Sequence, residues 1–398
     1  MRDLRIGRTL QIYIAWAIIS LAPIWKYLSR PKALIASLVA LLALAAGMYW
    51  LDRLNRSGRQ IPLKGFALLF LLFAITFAVL YPASLRRPFE SRSDREDAIR
   101  IELLAIQHHQ YPYGARTFRG NPPTPLPGAL LLAAPFFALK HIAWQNLFWL
   151  ELFFCFSIHF FRYRATAFFL LTVFLLCSPA NLSDFVSGGD YLTNFFYLAI
   201  AIAIFHHSLR YPLYAAIIAS VFLGVTLSSR SLYLVVLIPL WMLTLQQTTK
   251  RRAAILFGVI VAAFTAITLP VFTPHPVAHL LQQLSQNSNK LRYLPSAMHS
   301  EWTLPLLGLA AICVSFFIRM DVPRLFLLFS ISLFVVLAPP IFALALHQRA
   351  LPYECSYLSV SMLSFSLWAL SRYEQDPSTE TTYQPQTTDV TRRMYASP

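Results

Sequence analysis

The sequence predicts an all-α polytopic membrane protein with about a dozen transmembrane helices, and three observations carry that prediction. Charged residues make up only 13% of the 398, against about 25% in a soluble chain. Mean hydropathy is +0.56. Apolar runs of roughly 17–20 residues recur along nearly the whole length, each long enough to cross a bilayer. The runs are continuous, not alternating, which argues against a β-barrel. Backbone polar groups in lipid must be satisfied within their own segment, so helices follow.

Met1 to Arg8 is basic and no small-residue cleavage site follows it, so the first run, 9–25, reads as an uncleaved span. Further spans are predicted at 33–50, 65–82, 144–161, 165–180, 190–206, 212–227, 232–247, 253–272, 302–318, 325–346 and 352–371. Orientation follows from the basic loops. Arg2, Arg5 and Arg8, then Arg53, Arg56, Arg59 and Lys64, Arg162 and Arg164, Arg210, Lys250 to Arg252, and Arg319 with Arg324 share one side if the N-terminus is cytoplasmic. Lys26, Arg30 and Lys32 fall on the other side and are the exception. The same bias accounts for the net charge of +16 without a nucleic-acid partner. This topology requires that "LPGALLLAAPFFALK" (126–140) does not cross. It is short, holds two prolines and reads as a juxtamembrane helix at the outer surface.

Three parts follow. Residues 1–60 form an N-terminal transmembrane hairpin. Residues 61–372 form the main transmembrane domain, with outer loops at 83–143 and 273–300. The polar Thr-, Pro- and Gln-rich segment 373–398 reads as a disordered cytoplasmic tail. Cys155, Cys177, Cys313 and Cys355 lie in or beside apolar runs without metal-ligand or redox spacing, and read as core packing residues.

"RSDREDAIRIE" (92–102) breaks the apolar pattern: seven of its eleven residues are charged. Asp94 and Asp97 are three apart and share a helical face, while Glu96 points elsewhere but stays close. A solvated helix with ion pairs to Arg95 and Arg100 is one reading. The next segment, "HHQYPYGARTFRGNPPTPLPG" (108–128), favours another. It sets two histidines, two tyrosines and two arginines in a stiff Pro/Gly frame, and a stiff polar loop beside carboxylates reads as a site.

An acidic pair just after a span, an amphipathic helix, the turn "YPYG" and then "NPPTPLPGALLLAAPF" resemble the first extracytoplasmic loop of GT-C fold glycosyltransferases. "SGGDYLTNFFYLAIAIA" (187–203) is similar to that family's Asp motif leading into a span. "TLSSRSLYLVVLIPL" (226–240) is similar to its helix pair with a basic turn, and "HQRALPYECSYLSVSML" (347–363) to its Arg-bearing entry into a late span. The resemblance covers roughly 65–371 in architecture, and only 94–135 is specific in sequence. The hairpin before residue 60 has no counterpart in it.

The resemblance implies transfer of a sugar from a polyprenyl-phosphate-linked donor to an extracytoplasmic glycan, lipid or protein acceptor. One carboxylate takes the acceptor proton and positive charge receives the leaving phosphate. It favours Asp97 as base, with Asp94 and Glu96 as alternates, since spacing alone does not rank them. Arg230 is the first candidate for the lipid phosphate, with headgroup snorkelling as its other reading, and Arg349 is the second. Arg116, Arg119, His108, Tyr111 and Tyr113 are candidates for the substrate side, although interfacial anchoring explains the aromatic ones singly. Asp190 either joins them or caps the span that starts there. Segment 287–302, with Lys290, Arg292, Tyr293, His299 and Glu301, is a candidate lid.

No cofactor and no metal are expected; membrane lipids are. The predicted location is a bacterial plasma membrane, with the endoplasmic reticulum as the alternative and the site extracytoplasmic in the first case. Two other classes stay open. A transporter or flippase of lipid-linked sugars places broken helices and ionisable groups near the midplane, often in repeated halves. A non-catalytic membrane scaffold of the same fold is the third.

Overall fold

The computed structural model describes residues 2–57, 60–88, 92–273, 291, 293–349 and 353–375, and among these the chain is built of helices with no strand. It opens with α1 (Arg2–Tyr27), α2 (Arg30–Ser57) and α3 (Leu63–Leu85). Then come the short α4 (Arg95–Gln107) and α5 (Pro127–Ala138). The bundle continues through α6 (Gln145–Phe160), α7 (Arg164–Phe169), α8 (Pro179–Val186), α9 (Tyr191–Ser208) and α10 (Leu213–Leu227). It closes with α11 (Leu237–Gln247), α12 (Lys250–Phe272), α13 (Ser300–Cys313), α14 (Val322–Gln348) and α15 (Ser359–Glu374).

Among the described residues four helices, α2, α3, α12 and α14, are long and apolar enough to cross a membrane, and the number rises to six if each of two bent pairs is one span. These helices make the chain an integral membrane protein. Among these residues the predicted dozen is not shown, since several apolar runs are cut short. The run from Ser231 to Gln247 begins as a 3-10 turn, and α10 and α13 fall below spanning length. The run 126–140 folds as α5, which meets the helical run Ile142–Phe160 at 113°.

The second bend has a local cause. After α7 the helix continues as a π-type turn, Leu170–Leu176, and stops at Ser178, where Pro179 begins α8 at 74°. Proline suits a first helical turn, whose N–H groups are unbonded in any case. The carbonyls freed at the break are taken up by side chains. Trp16 Nε1 donates to the Val173 carbonyl at 3.3 Å and Asn181 Nδ2 to that of Phe174. Ser20 also meets Ser178 at 3.2 Å. The N-terminal hairpin thereby clamps the break, and its Ile12, Trp16 and Ile19 lie in the same core as α9 and α14.

At one end of the bundle Arg372 pairs with Asp321 at 2.7 Å, Tyr373 bonds Asp52 at 3.0 Å, and the Glu374 carboxylate accepts the Arg162 and Tyr163 N–H groups. The opposite end carries α4, α5 and the α8–α9 turn. The expectation that the cysteines pack the core is corrected. Cys155 and Cys177 are exposed and Cys313 is half-buried, since Cys155 sits on an exposed position of α6 and Cys177 at the break after the π-type turn. The Cys355 side chain and residues 376–398 of the predicted tail lie outside what is described.

Candidate functional site

The acidic helix α4 follows α3 almost directly, and its first turn carries Glu96 and Asp97. Carboxylates are favoured there by the unbonded N–H groups of a helix start. A closed turn docks on this helix end. The Thr117 N–H donates to the Asn121 carbonyl at 3.0 Å, and Gly120 takes the left-handed φ of 75° that the turn needs. Asp94 Oδ2 accepts the Thr117 hydroxyl at 2.6 Å and the Asn121 amide at 2.8 Å. Asp97 Oδ2 accepts the Phe118 N–H at 3.0 Å, and its Oδ1 faces the exposed Arg100 at 3.3 Å.

Glu96 lies on another side of α4. The Tyr81 hydroxyl sits 2.9 Å from both of its oxygens. A Cβ on Gly188, whose φ is 71°, would come within 2.7 Å of Glu96 Oε2, so this backbone approach requires glycine. Burial pushes the Glu96 carboxyl up, against the Tyr81 hydrogen bond and the Arg92 charge. Glu96 thus ties the end of α3 to the turn before α9.

Two ion pairs hold that turn. Arg95 pairs with Asp184, whose Oδ2 also accepts the Leu192 N–H at 3.0 Å. The guanidinium lies 5.4 Å from the ring centroids of Tyr191 and Tyr357. Asp190 pairs with Arg230 and accepts Asn194 Nδ2 at 3.0 Å. Asp190 does not cap α9 with its side chain; Asp184 takes that work, and Asp190 is turned toward Arg230. Arg230 also donates to Thr124 at 2.8 Å, so the loop 108–126 reaches from Asp94 and Asp97 to the Asp190–Arg230 pair. The loop is pinned there by the Leu126 and Gly128 N–H groups, which bond Ser229 and Ser228 at 3.1 Å each.

Tyr111 and Tyr113 meet edge to face with centroids 5.5 Å apart, and the buried Tyr113 stacks on Phe272 at 5.3 Å. Arg116, Arg119 and His108 are exposed, the first two on the loop and His108 at the end of α4. Arg349 is exposed at the end of α14 with φ 50°, apart from the buried pairs. Of the candidate lid, Lys290 and Arg292 lie outside the described residues, Tyr293 meets the His347 ring at 5.0 Å, and His299 and Glu301 are exposed.

Sequence reasoning missed Glu102, which is 0% exposed. Among the described residues neither of its oxygens has a partner, and the same holds for the Tyr113 and Tyr233 hydroxyls, Asp190 Oδ1 and Arg230 Nε. A buried polar atom without a partner costs about 1–3 kcal/mol. Burial pushes the Glu102 carboxyl well above the usual carboxylate range, with Arg230 opposing and Asp190 adding to the shift. Burial also raises the Tyr113 hydroxyl. One signal was legible: Glu102 stands three residues after Ile99, on the buried stripe of α4. Asp184 and Tyr81 left no such trace. No group of three metal-ligating side chains occurs among the described residues. Set against known proteins, the chain matches no family model, no curated protein and no solved structure.

Proposed function

We propose that the chain is a membrane glycosyltransferase of the GT-C kind, moving a sugar from a polyprenyl-phosphate donor to an extracytoplasmic acceptor. One observation supports this above the rest. Asp94 and Asp97 on the first turn of α4 and the Asp190–Arg230 pair are bridged by a single loop, 108–126, at the bundle end away from most of the basic segments. That supplies a base and positive charge within one constellation. Asp97 acts as base, taking the proton of the attacking hydroxyl. Arg230, with the exposed Arg116 and Arg119 of the same loop, offers positive charge to the departing lipid phosphate. An apolar recess of about 230 Å³ lined by Leu227, Leu234, Leu237, Ile260 and Phe264 suits part of an isoprenoid chain, and Leu227 and Leu234 flank Arg230 in sequence.

The experiment is transfer of radiolabel from a panel of polyprenyl-phosphate sugars by purified protein, beside Asp94→Asn, Glu96→Gln and Asp97→Asn. Loss of a general base costs about 10²–10⁴-fold in rate. Asp97→Asn keeps an acceptor for the Phe118 N–H and gives up only an exposed pair, so it folds as the parent does.

A second reading, a transporter of lipid-linked sugars, is favoured by the two bent helix pairs, the second of which carries the buried Asp184. Flipping that persists in Asp97→Asn, with no transfer from any donor, would decide for it.

A further inference from the structure

Glu102, Tyr113 and Tyr233 come from α4, the loop after it and the turn after α10. All three lie close enough to the Asp190–Arg230 pair to feel its charges. Each carries a buried oxygen without a partner among the described residues, as does Asp190 at Oδ1. Chemistry restricts what complements them. A cation is disfavoured by Arg230, and an anion placed against Asp190 Oδ1 meets the Asp190 carboxylate. An uncharged hydroxyl satisfies both kinds of atom: it donates to Asp190 Oδ1 and accepts from a tyrosine hydroxyl or Arg230 Nε.

We propose that Glu102 is a ligand-contacting residue, and that with Tyr113, Tyr233 and Asp190 Oδ1 it forms a buried hydrogen-bonding cluster for an uncharged, hydroxyl-bearing part of the ligand. The assignment of that part to the donor's sugar rests on the transferase reading above. Burial pushes the Glu102 carboxyl up and so favours its neutral form, which offers one donor and one acceptor. The groups facing it are Arg230, Asp190 and Tyr113; α5 and the 142–144 turn, which pack against α4, bring no titratable side chain.

The test follows the infrared carbonyl band of the protonated Glu102 in detergent-purified protein, with donor affinity measured alongside. Wild type shows the band at neutral pH, Glu102→Leu lacks it, and a bound polyprenyl-phosphate sugar shifts it. Glu102→Leu keeps the volume and removes both oxygens, and it weakens donor binding about tenfold or more. Glu102→Gln restores an acceptor and a donor, and weakens binding less. Both variants are first checked for wild-type elution and a single cooperative melting transition. The proposal is overturned if the band is absent at neutral pH. It is also overturned if the donor binds wild type and Glu102→Leu equally without moving the band, since the cluster then holds ordered water alone. If no polyprenyl-phosphate sugar binds wild type, the transferase reading fails by itself, and the band is followed with free monosaccharides and glycerol. A shift there sustains the cluster as a hydroxyl site; no shift with any probe removes it too.

Discussion

Replacing Arg230 by Met strands the Asp190 carboxylate in the interior. The Asp190 side chain is 2% exposed, and without the guanidinium only Asn194 still donates to it among the described residues. Breaking a buried pair from one side costs about 3–5 kcal/mol. The Arg230 side chain keeps 17% exposure, so solvent screens part of the field, and about 3 kcal/mol is the expected loss for Arg230→Met. Asp190→Asn costs less, about 1–2 kcal/mol, because Arg230 still reaches Thr124 and solvent. In the double variant neither charge is stranded, so the double-mutant cycle shows a coupling of at least about 1.5 kcal/mol. Arg100→Met is the contrast: Arg100 is 62% exposed in its pair with Asp97, and its loss costs at most about 1 kcal/mol. The assay is equilibrium unfolding in mixed micelles, read by tryptophan fluorescence. If Arg230→Met unfolds within about 1 kcal/mol of wild type, or the cycle is additive, the pair is not the buried brace described above.

Gly128→Ala should destabilise by about 1–3 kcal/mol or more, since its Cβ would lie 2.2 Å from the Val225 carbonyl oxygen; the same unfolding assay checks it. Glu102 and Glu96 both have raised carboxyls, so their stabilising share is full below the unfolded value of about 4.3 and is lost as pH rises through the folded values. Glu102→Gln should therefore match wild type at about pH 4 and melt higher than it near neutrality, by thermal scans across pH. Ala115→Cys, in a background without the native cysteines, should react from outside with an impermeant thiol reagent. Labelling only after permeabilisation would reverse the proposed orientation.

The helical, membrane-embedded character was legible from hydropathy alone, because lipid admits few backbone solutions. The count of spans was not. An apolar run reads alike whether it crosses or bends. The break at Ser178 depends on the carbonyls being met by Trp16, more than 150 residues earlier, and by Asn181. Asp94, Glu96 and Asp97 were legible as a group, yet their partners separate them. Asp94 and Asp97 hold the 117–121 turn, while Glu96 faces Tyr81 and Gly188. Arg230 was singled out for the lipid phosphate, and the fold pairs it with Asp190, 40 residues away.

The sequence by itself determined that this chain is helical, lives in a membrane and carries a charged helix followed by a stiff polar loop, since composition and turn chemistry act over a few residues at a time. Only the tertiary structure decided which of those charges are buried together. Burial and pairing depend on what distant segments bring alongside: Glu102 is one more acid in a charged stretch until α5 and the loop 108–126 close over it, and from then on its environment sets its proton and its partners.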